Sequence, residues 1–239
     1  MKTLIFCEGT TDVLLIQFVL QYKYGWKYEG FLENTVTNRL IKRNLVKEGH
    51  HIEIISCGGI NNIPDELQKL KDKVLYVTKT EDICDKVIVM IDHDTMDSNQ
   101  TFVQQLNEKI ETDFTEEQIS KWIYWEIENM VLGEQKIELY ISSIPENETG
   151  AIEKIMLDAL GTDEIEKNLI GECESFIQGI SEKQDRYLQK KSRIHKGIFN
   201  TYFAIRTPEE KYDERARILK AYDWENNKIL NESFKFLNI

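Results

Sequence analysis

The residues of this chain that could perform chemistry are five acidic side chains near the ends of predicted strands or the starts of predicted helices. Asp92 and Asp94 follow the apolar run Val-Ile-Val-Met-Ile, and their i, i+2 spacing places both carboxylates on one side of an extended chain. Two carboxylates this close repel each other unless a positive charge lies between them. Oxygen ligands with no His or Cys partner suit Mg²⁺ or Mn²⁺. The pair therefore predicts a site for one or two such ions; a turn that caps the next helix is the alternative interpretation.

Three further acids extend this predicted site. Glu8 ends the first apolar run, where an acid gains little from helix capping. Asp12 and Glu153 lie in the first turns of predicted helices, where the helix dipole favours a negative charge, so each also has a structural interpretation. Ligands bind outside the carboxyl ends of the strands in a parallel α/β sheet, so all five acids can reach one rim of the sheet. The predicted metal ligands are Glu8, Asp12, Asp92, Asp94 and Glu153.

The elements that must position these acids alternate between strand and helix over the first half of the chain. Apolar runs predict strands at residues 4–7, 52–57, 87–91 and 137–144, with helices at 13–20, 64–80, 99–110 and 151–160. The less regular stretch 23–49 predicts an insertion or hairpin with a helical patch at 40–46. Helices are also predicted at 163–182, 183–205 and 209–237. The fold class is α/β: a mostly parallel sheet of about four strands flanked by helices, with a C-terminal all-helical extension.

Length and composition indicate a globular protein that binds no membrane. The change of pattern near residue 160 predicts an α/β domain over 1–160 and a helical extension over 161–239, or a single domain. Apolar residues make up 41% and charged residues 30%, and the net charge of −12 excludes a generally basic nucleic-acid coat. The four cysteines are widely spaced, which favours reduced thiols. The start of the chain reaches Glu8 after only four apolar residues, too few for a signal peptide or membrane span, so a cytoplasmic location is expected.

Several short motifs resemble those of one known family. Phe-Cys-Glu-Gly-Thr-Thr-Asp at 6–12, with Ile-Asp-His-Asp at 91–94, is similar to the Toprim domain of topoisomerases, primases and OLD (overcoming lysogenization defect) nucleases. Ile-Ile-Ser-Cys-Gly-Gly at 54–59, and Ser-Ile-Pro at 143–145 through Gly-Ala-Ile-Glu at 150–153, resemble stand-alone prokaryotic OLD-like Toprim proteins. The resemblance covers about residues 1–205. It implies a Toprim-like sheet and an Mg²⁺- or Mn²⁺-dependent nuclease of nicking or endonuclease type.

The resemblance also implies roles for individual residues. Glu8 and Asp12 match the Glu-Gly-x-x-Asp acids, Asp92 and Asp94 match the paired aspartates, and Glu153 matches the acid after the Pro-to-Gly loop. A lysine on a later helix supports the transition state in OLD-type nucleases, and Lys196 is its best match here, with Lys190 and Lys191 close by. Glu8, Asp92, Asp94 and Lys196 are the implied catalytic set. The sequence has no Gly-x-x-x-x-Gly-Lys-Ser/Thr loop, so coupling to ATP requires an ATPase partner in trans.

A local basic segment could bind the phosphates of DNA or RNA. Residues 183–205 carry one acid, Asp185, and six basic side chains, which predict a basic helical stripe; the six are Lys183, Arg186, Lys190, Lys191, Arg193 and Lys196. A solvated helix face is the alternative interpretation.

Two other functions are compatible with the sequence. Asp92-His93-Asp94-Thr95 also looks like the nucleophile loop of haloacid-dehalogenase-type phosphatases, in which the first aspartate attacks phosphate and the second acts as acid and base. That interpretation leaves Glu8 unexplained. A non-catalytic module that binds metal and nucleic acid is the other alternative.

Overall fold

Seven strands form one mixed sheet in the computed structural model, which describes residues 1–30, 41–183, 186–207, 223 and 225–239. The strand order is β2-β3-β4-β1-β5-β7-β6. The strands are β1 Lys2–Cys7, β2 Lys27–Gly30, β3 Ile41–Lys47, β4 His50–Ser56, β5 Lys86–Asp92, β6 Trp122–Asn129 and β7 Gly133–Ile144.

Seven α-helices accompany the sheet within the described residues. They are α1 Thr10–Phe18, α2 Ile63–Tyr76, α3 Ser98–Ile110, α4 Ile152–Leu160, α5 Glu164–Ser181, α6 Lys191–Arg206 and α7 Lys228–Ser233. Among the described residues, no helix is long and apolar enough to cross a lipid bilayer.

The centre of the sheet is parallel, as the sequence predicts. β1 pairs in parallel with β4, where Cys7 lies opposite Ser56, and with β5, where Cys7 lies opposite Met90. Glu138 N donates to Asp85 O, and farther along both strands His93 N donates to Ile144 O. The residue numbers of the partners rise in the same direction on the two strands, so β5 and β7 are parallel. The four predicted strands are therefore confirmed as β1, β4, β5 and β7. Buried apolar runs such as that of β5 are typical of strands covered on both faces.

The expected number of about four strands is wrong, because antiparallel strands extend the sheet at both sides. β3 pairs with β2 and β4, and β6 pairs with β7, in each case antiparallel. The predicted helical patch at 40–46 is also wrong: residue 40 lies outside the described residues, and the rest belongs to β3. The sequence of β3, Ile-Lys-Arg-Asn-Leu-Val-Lys, has no clear period, so its pairing with β4 decides its conformation.

The chain forms two compact units. The first consists of Met1–Gln21, Gly25–Ile91 and Asp97–Ser143, and the second of Tyr22–Tyr24, Asp92–Met96 and Ile144–Ile239. The core of the first unit is built from β-sheet and helix side chains such as Ile5, Val89, Phe102 and Trp125. The predicted domain division at residue 160 stays a prediction.

Helices α4 to α7 belong to the second unit, where α4 contacts α5, α6 and α7. The helix predicted at 163–182 is confirmed as α5. The helix predicted at 183–205 is wrong in its first part, because α6 begins only at Lys191. Of the helix predicted at 209–237, residues 209–222 and 224 lie outside the described residues, and α7 accounts for a later part.

Candidate functional site

Asp92, the last residue of β5, is held through both of its carboxylate oxygens. Oδ1 accepts a hydrogen bond of 3.0 Å from the main-chain N–H of Ile152, the first residue of α4. Oδ2 lies 2.7 Å from Nζ of Lys196 on α6. The residue is only 7% exposed. A buried carboxylate is tolerated here because a helix N-terminus and an ammonium both stabilise its negative charge.

The segment between β7 and α4 fixes the start of α4 close to Asp92. His93 N donates to Ile144 O at 2.9 Å, and Gly150 N donates to His93 O at 2.7 Å. The His93 ring adds a contact, with Nδ1 3.1 Å from Pro145 O. Main-chain hydrogen bonds to the residue after Asp92 therefore set the position from which Ile152 N donates.

Glu153, in the first turn of α4, is a buried acid with an unsatisfied oxygen. The side chain is 8% exposed, and Oε2 has no hydrogen-bond partner within the described residues. Burial, followed by the negative charge of Asp92, raises the pKa of Glu153 to about 7, and the charge of Lys196 opposes this shift. An oxygen in this condition requires a proton or a cation.

Asp94 adds a third negative charge to the same group. Its Oδ1 is buried and also lacks a hydrogen-bond partner among the residues that the structure describes. Its charge raises the pKa of both Asp92 and Glu153. For Asp92, burial is the larger cause of the raised pKa, and Lys196 is the main opposing charge. We call Asp92, Asp94 and Glu153 the acidic cluster.

The donor chemistry of the acidic cluster fits a hard divalent cation. All its donors are carboxylate oxygens, and two of them are buried without a hydrogen-bond partner in the part of the chain that the structure describes. In the described ranges, however, no three His, Cys, Asp or Glu side chains are gathered closely enough to form a complete ligand set. Lys196 lies against Asp92 in this arrangement, so an ammonium supplies positive charge there.

Glu8 and Asp12 belong to the first unit. The main-chain oxygen of Glu8 accepts from Gly59 N at 2.9 Å. Asp12 is 7% exposed, and its Oδ2 accepts from Gly9 N, the residue before α1, at 2.8 Å. Asp12 therefore has the helix-capping role that its first-turn position allows. A rim shared by all five acids stays a prediction of the sequence.

The comparison with protein families places the whole chain in one of them. A family model described as "Protein of unknown function (DUF3226)" matches residues 2–238. The chain belongs to the DUF3226 family.

A similar fold occurs in a solved archaeal structure. The crystal structure of the hypothetical protein PH0156 from Pyrococcus horikoshii OT3 matches 99% of this DUF3226 chain and 95% of its own, with a TM-score of 0.62 and 16% sequence identity. This likeness shows the fold alone. No curated protein matches the chain.

The basic segment of this DUF3226 protein is helical only in its second half. Lys191, Arg193 and Lys196 lie on α6, whereas the other three basic residues, Lys183, Arg186 and Lys190, precede the helix. The prediction of one helical stripe is wrong in that half, and Asp185 lies outside the described residues. Lys190 and Lys191 are exposed, while Lys196 contacts Asp92.

Sequence reasoning missed the surroundings of His195. A Cβ atom added to Gly150 would lie 3.0 Å from Nδ1 of His195, so the loop before α4 packs closely against this ring. Burial lowers the pKa of His195, and the charge of Lys154 lowers it further. The only sequence signal is that His195 adjoins Lys196, which does not indicate a contact 45 residues earlier in the chain.

Proposed function

We propose that this protein is an Mg²⁺- or Mn²⁺-dependent nuclease that hydrolyses phosphodiester bonds in DNA or RNA. The observation that carries the proposal is the acidic cluster with Lys196: an ion pair between this partly exposed lysine and the buried Asp92, beside two carboxylate oxygens that have no hydrogen-bond partner in the described residues. The resemblance of residues 6–12 and 91–94 to Toprim-type nucleases supports the same chemistry. Under that resemblance Glu8 and Asp12 are further proposed metal ligands.

A divalent ion held by the carboxylates would supply positive charge to the phosphate and lower the pKa of water. The protein's own residues have separate tasks. The ammonium of Lys196 can neutralise a phosphate oxygen, and electrostatic stabilisation of developing charge is a large term in such reactions. The N–H of Ile152 fixes the orientation of Asp92.

Glu153 changes its charge when an ion binds. In the metal-free protein, burial together with the negative charge of Asp92 raises the pKa of Glu153 to about 7, so a proton can reside on the carboxyl near neutral pH. A divalent ion would take the place of that proton, because a carboxylate that binds a metal must be ionised.

Phosphate contacts for a polyanionic substrate are available in the same unit. Lys183, Arg186, Lys190, Lys191 and Arg193 are exposed, and their combined positive charge contrasts with the net charge of −12 of the whole chain. Such contacts give salt-dependent binding without sequence preference. The proposal therefore includes weak discrimination between nucleic-acid sequences.

Cleavage of supercoiled plasmid and of RNA with Mg²⁺ or Mn²⁺ tests the function. We expect nicking by the unmodified protein and a loss of at least about 100-fold in Asp92→Asn, because the conservative amide removes the charge that pairs with Lys196. Asp163→Asn is the matched control: Asp163 accepts from the N–H groups that start α5, and asparagine caps helices as well.

The outcomes separate the alternatives. Equal cleavage by Asp92→Asn and the control would remove Asp92 from the chemistry and refute the proposal. Hydrolysis of small phosphate esters without plasmid or RNA cleavage would favour the phosphatase interpretation of Asp92-His93-Asp94-Thr95. Metal binding without any hydrolysis would favour the non-catalytic module.

A further inference from the structure

Lys196 places a positive charge where the acidic cluster would bind a cation. Its Nζ lies 2.7 Å from Oδ2 of Asp92, and its charge also acts on Glu153. The two buried oxygens that lack a hydrogen-bond partner among the described residues belong to Asp94 and Glu153, the other members of the cluster. An ammonium that is part of the chain therefore acts on two carboxylates of the cluster, Asp92 and Glu153.

The two partners of this ion pair differ in their freedom to move. The Lys196 side chain is 42% exposed, whereas that of Asp92 is 9% exposed. A lysine ammonium is a compact charge on a flexible four-carbon stem, so it can turn toward solvent while the carboxylate stays in place.

The backbone that carries Lys196 is packed tightly. A Cβ atom added to the next residue, Gly197, would lie 3.3 Å from Cδ2 of Leu188 and 3.5 Å from Cδ1 of Ile177 on α5. α6 therefore packs against α5 and against the segment before α6 at this point. The partly exposed lysine side chain is the part that we expect to move when the distance between Lys196 Nζ and Asp92 changes.

We propose that Lys196 is a built-in competitor of the divalent ion: its ammonium balances the acidic cluster in the metal-free protein, and a bound Mg²⁺ or Mn²⁺ displaces it from Asp92. This inference rests on the metal-binding part of the proposed function and does not require hydrolysis. A doubly charged ion repels an ammonium at the same carboxylate, so the two cations exclude each other. The displaced ammonium then remains on its stem beside the cluster, available to a phosphate oxygen.

The competition predicts an unusual effect of removing a positive charge. Lys196→Met keeps the approximate length of the side chain and removes its charge, so Mn²⁺ no longer has to displace an ammonium from Asp92. We expect calorimetric titration with Mn²⁺ to show binding at least about fivefold tighter than in the unmodified protein, the factor expected for a partly exposed pair. Lys196→Arg retains the charge and should bind Mn²⁺ about as weakly as the unmodified protein.

Thermal unfolding gives a second readout that does not depend on activity. In EDTA, Lys196→Met should melt below the unmodified protein, because Asp92 loses its ammonium. Saturating Mn²⁺ should raise its melting temperature by more than it raises that of the unmodified protein. Lys228→Met, at an exposed lysine on α7 outside the basic segment, is the control and should change neither quantity.

The outcomes that overturn the inference are distinct from those that overturn the nuclease. Mn²⁺ affinity in Lys196→Met equal to or below that of the control would show that the ammonium does not compete. An absence of Mn²⁺ binding in every variant would remove the metal site, and with it both proposals. Tighter Mn²⁺ binding by Lys196→Met, in a protein that cleaves no nucleic acid, would support the competition while refuting the hydrolysis.

Discussion

The substitution Glu153→Gln should make the metal-free protein more stable above neutral pH, although it alters a buried residue. Glutamine has the shape of glutamate and cannot ionise. Burial and the negative charge of Asp92 raise the pKa of Glu153 from its ordinary value of 4.5 to about 7. Ionised Glu153 is therefore a source of instability that the glutamine removes.

The sign and size of this effect follow from proton binding. Well below pH 4.5 the carboxyl is protonated in both the folded and the unfolded chain, so Glu153 contributes no pH-dependent penalty there. As the pH rises toward about 7, the unfolded chain releases this proton first, and the folded protein loses stability relative to it. At 1.36 kcal/mol for each pH unit, the loss is complete above the folded pKa and amounts to about 3 kcal/mol.

Thermal unfolding in EDTA near pH 5 and near pH 8 measures the effect. We expect Glu153→Gln to melt about 2–3 °C above the unmodified protein near pH 5, where about 1 kcal/mol of the loss is present, and roughly 6–12 °C above it near pH 8, where about 3 kcal/mol is present. Glu172→Gln, an exposed position on α5, is the control and should show the same small difference at both pH values. Saturating Mn²⁺ should reverse the order near pH 8, since only the carboxylate can bind the ion.

A difference between Glu153→Gln and the unmodified protein that is the same at both pH values would refute this reasoning. It would show that Glu153 does not change its charge between pH 5 and pH 8 in the folded protein. A variant less stable near pH 8 than the unmodified protein in EDTA would contradict the sign and place a favourable partner at the Glu153 carboxylate.

Two other substitutions test contacts that position the elements. The buried amide of Asn129 donates to two carbonyls near the end of α2 and accepts from two N–H groups of the turn after β6. Asn129→Ala should therefore lower the free energy of unfolding, measured by urea titration, by about 3 kcal/mol. An unchanged urea midpoint would contradict this prediction. Gly150→Ala should cost about 1–3 kcal/mol because its Cβ would lie 3.0 Å from His195 Nδ1, whereas Gly171→Ala, with open space around it on α5, should stabilise the helix slightly; equal effects would exclude the close approach.

Four strands could be predicted because their amino-acid sequences alone indicate that they are buried. β1, β4, β5 and β7 contain apolar runs long enough to be buried, and such runs need little context to be recognised. The other three strands could not. β2 is short and β3 is largely polar. The residues of β6 alternate between its two faces, and its exposed face carries a tryptophan and a tyrosine. Their conformation depends on pairing with a neighbouring strand, which a local pattern does not encode.

The segment before α6 shows the same limit for helices. Residues 183–190 have a charge pattern that suits a helix, yet Leu188 adopts a positive φ of 59° and α6 begins at Lys191. Leu188 packs against the position of Gly197, and its main-chain oxygen accepts from Ser181 Oγ. Tertiary contacts of one apolar side chain therefore override the local preference.

By itself the sequence determined which acids follow buried apolar runs or begin helices, because an unpaired charge is costly inside such a run. It thus selected five candidate acids, and the family resemblance ranked Lys196 first among three nearby lysines; the acids are Glu8, Asp12, Asp92, Asp94 and Glu153. Only the tertiary structure decided that Lys196 contacts Asp92 and that oxygens of Asp94 and Glu153 are buried without a hydrogen-bond partner in the described residues. The reason is physical: Asp92 and Lys196 are 104 residues apart, and no local pattern records which charges burial brings together.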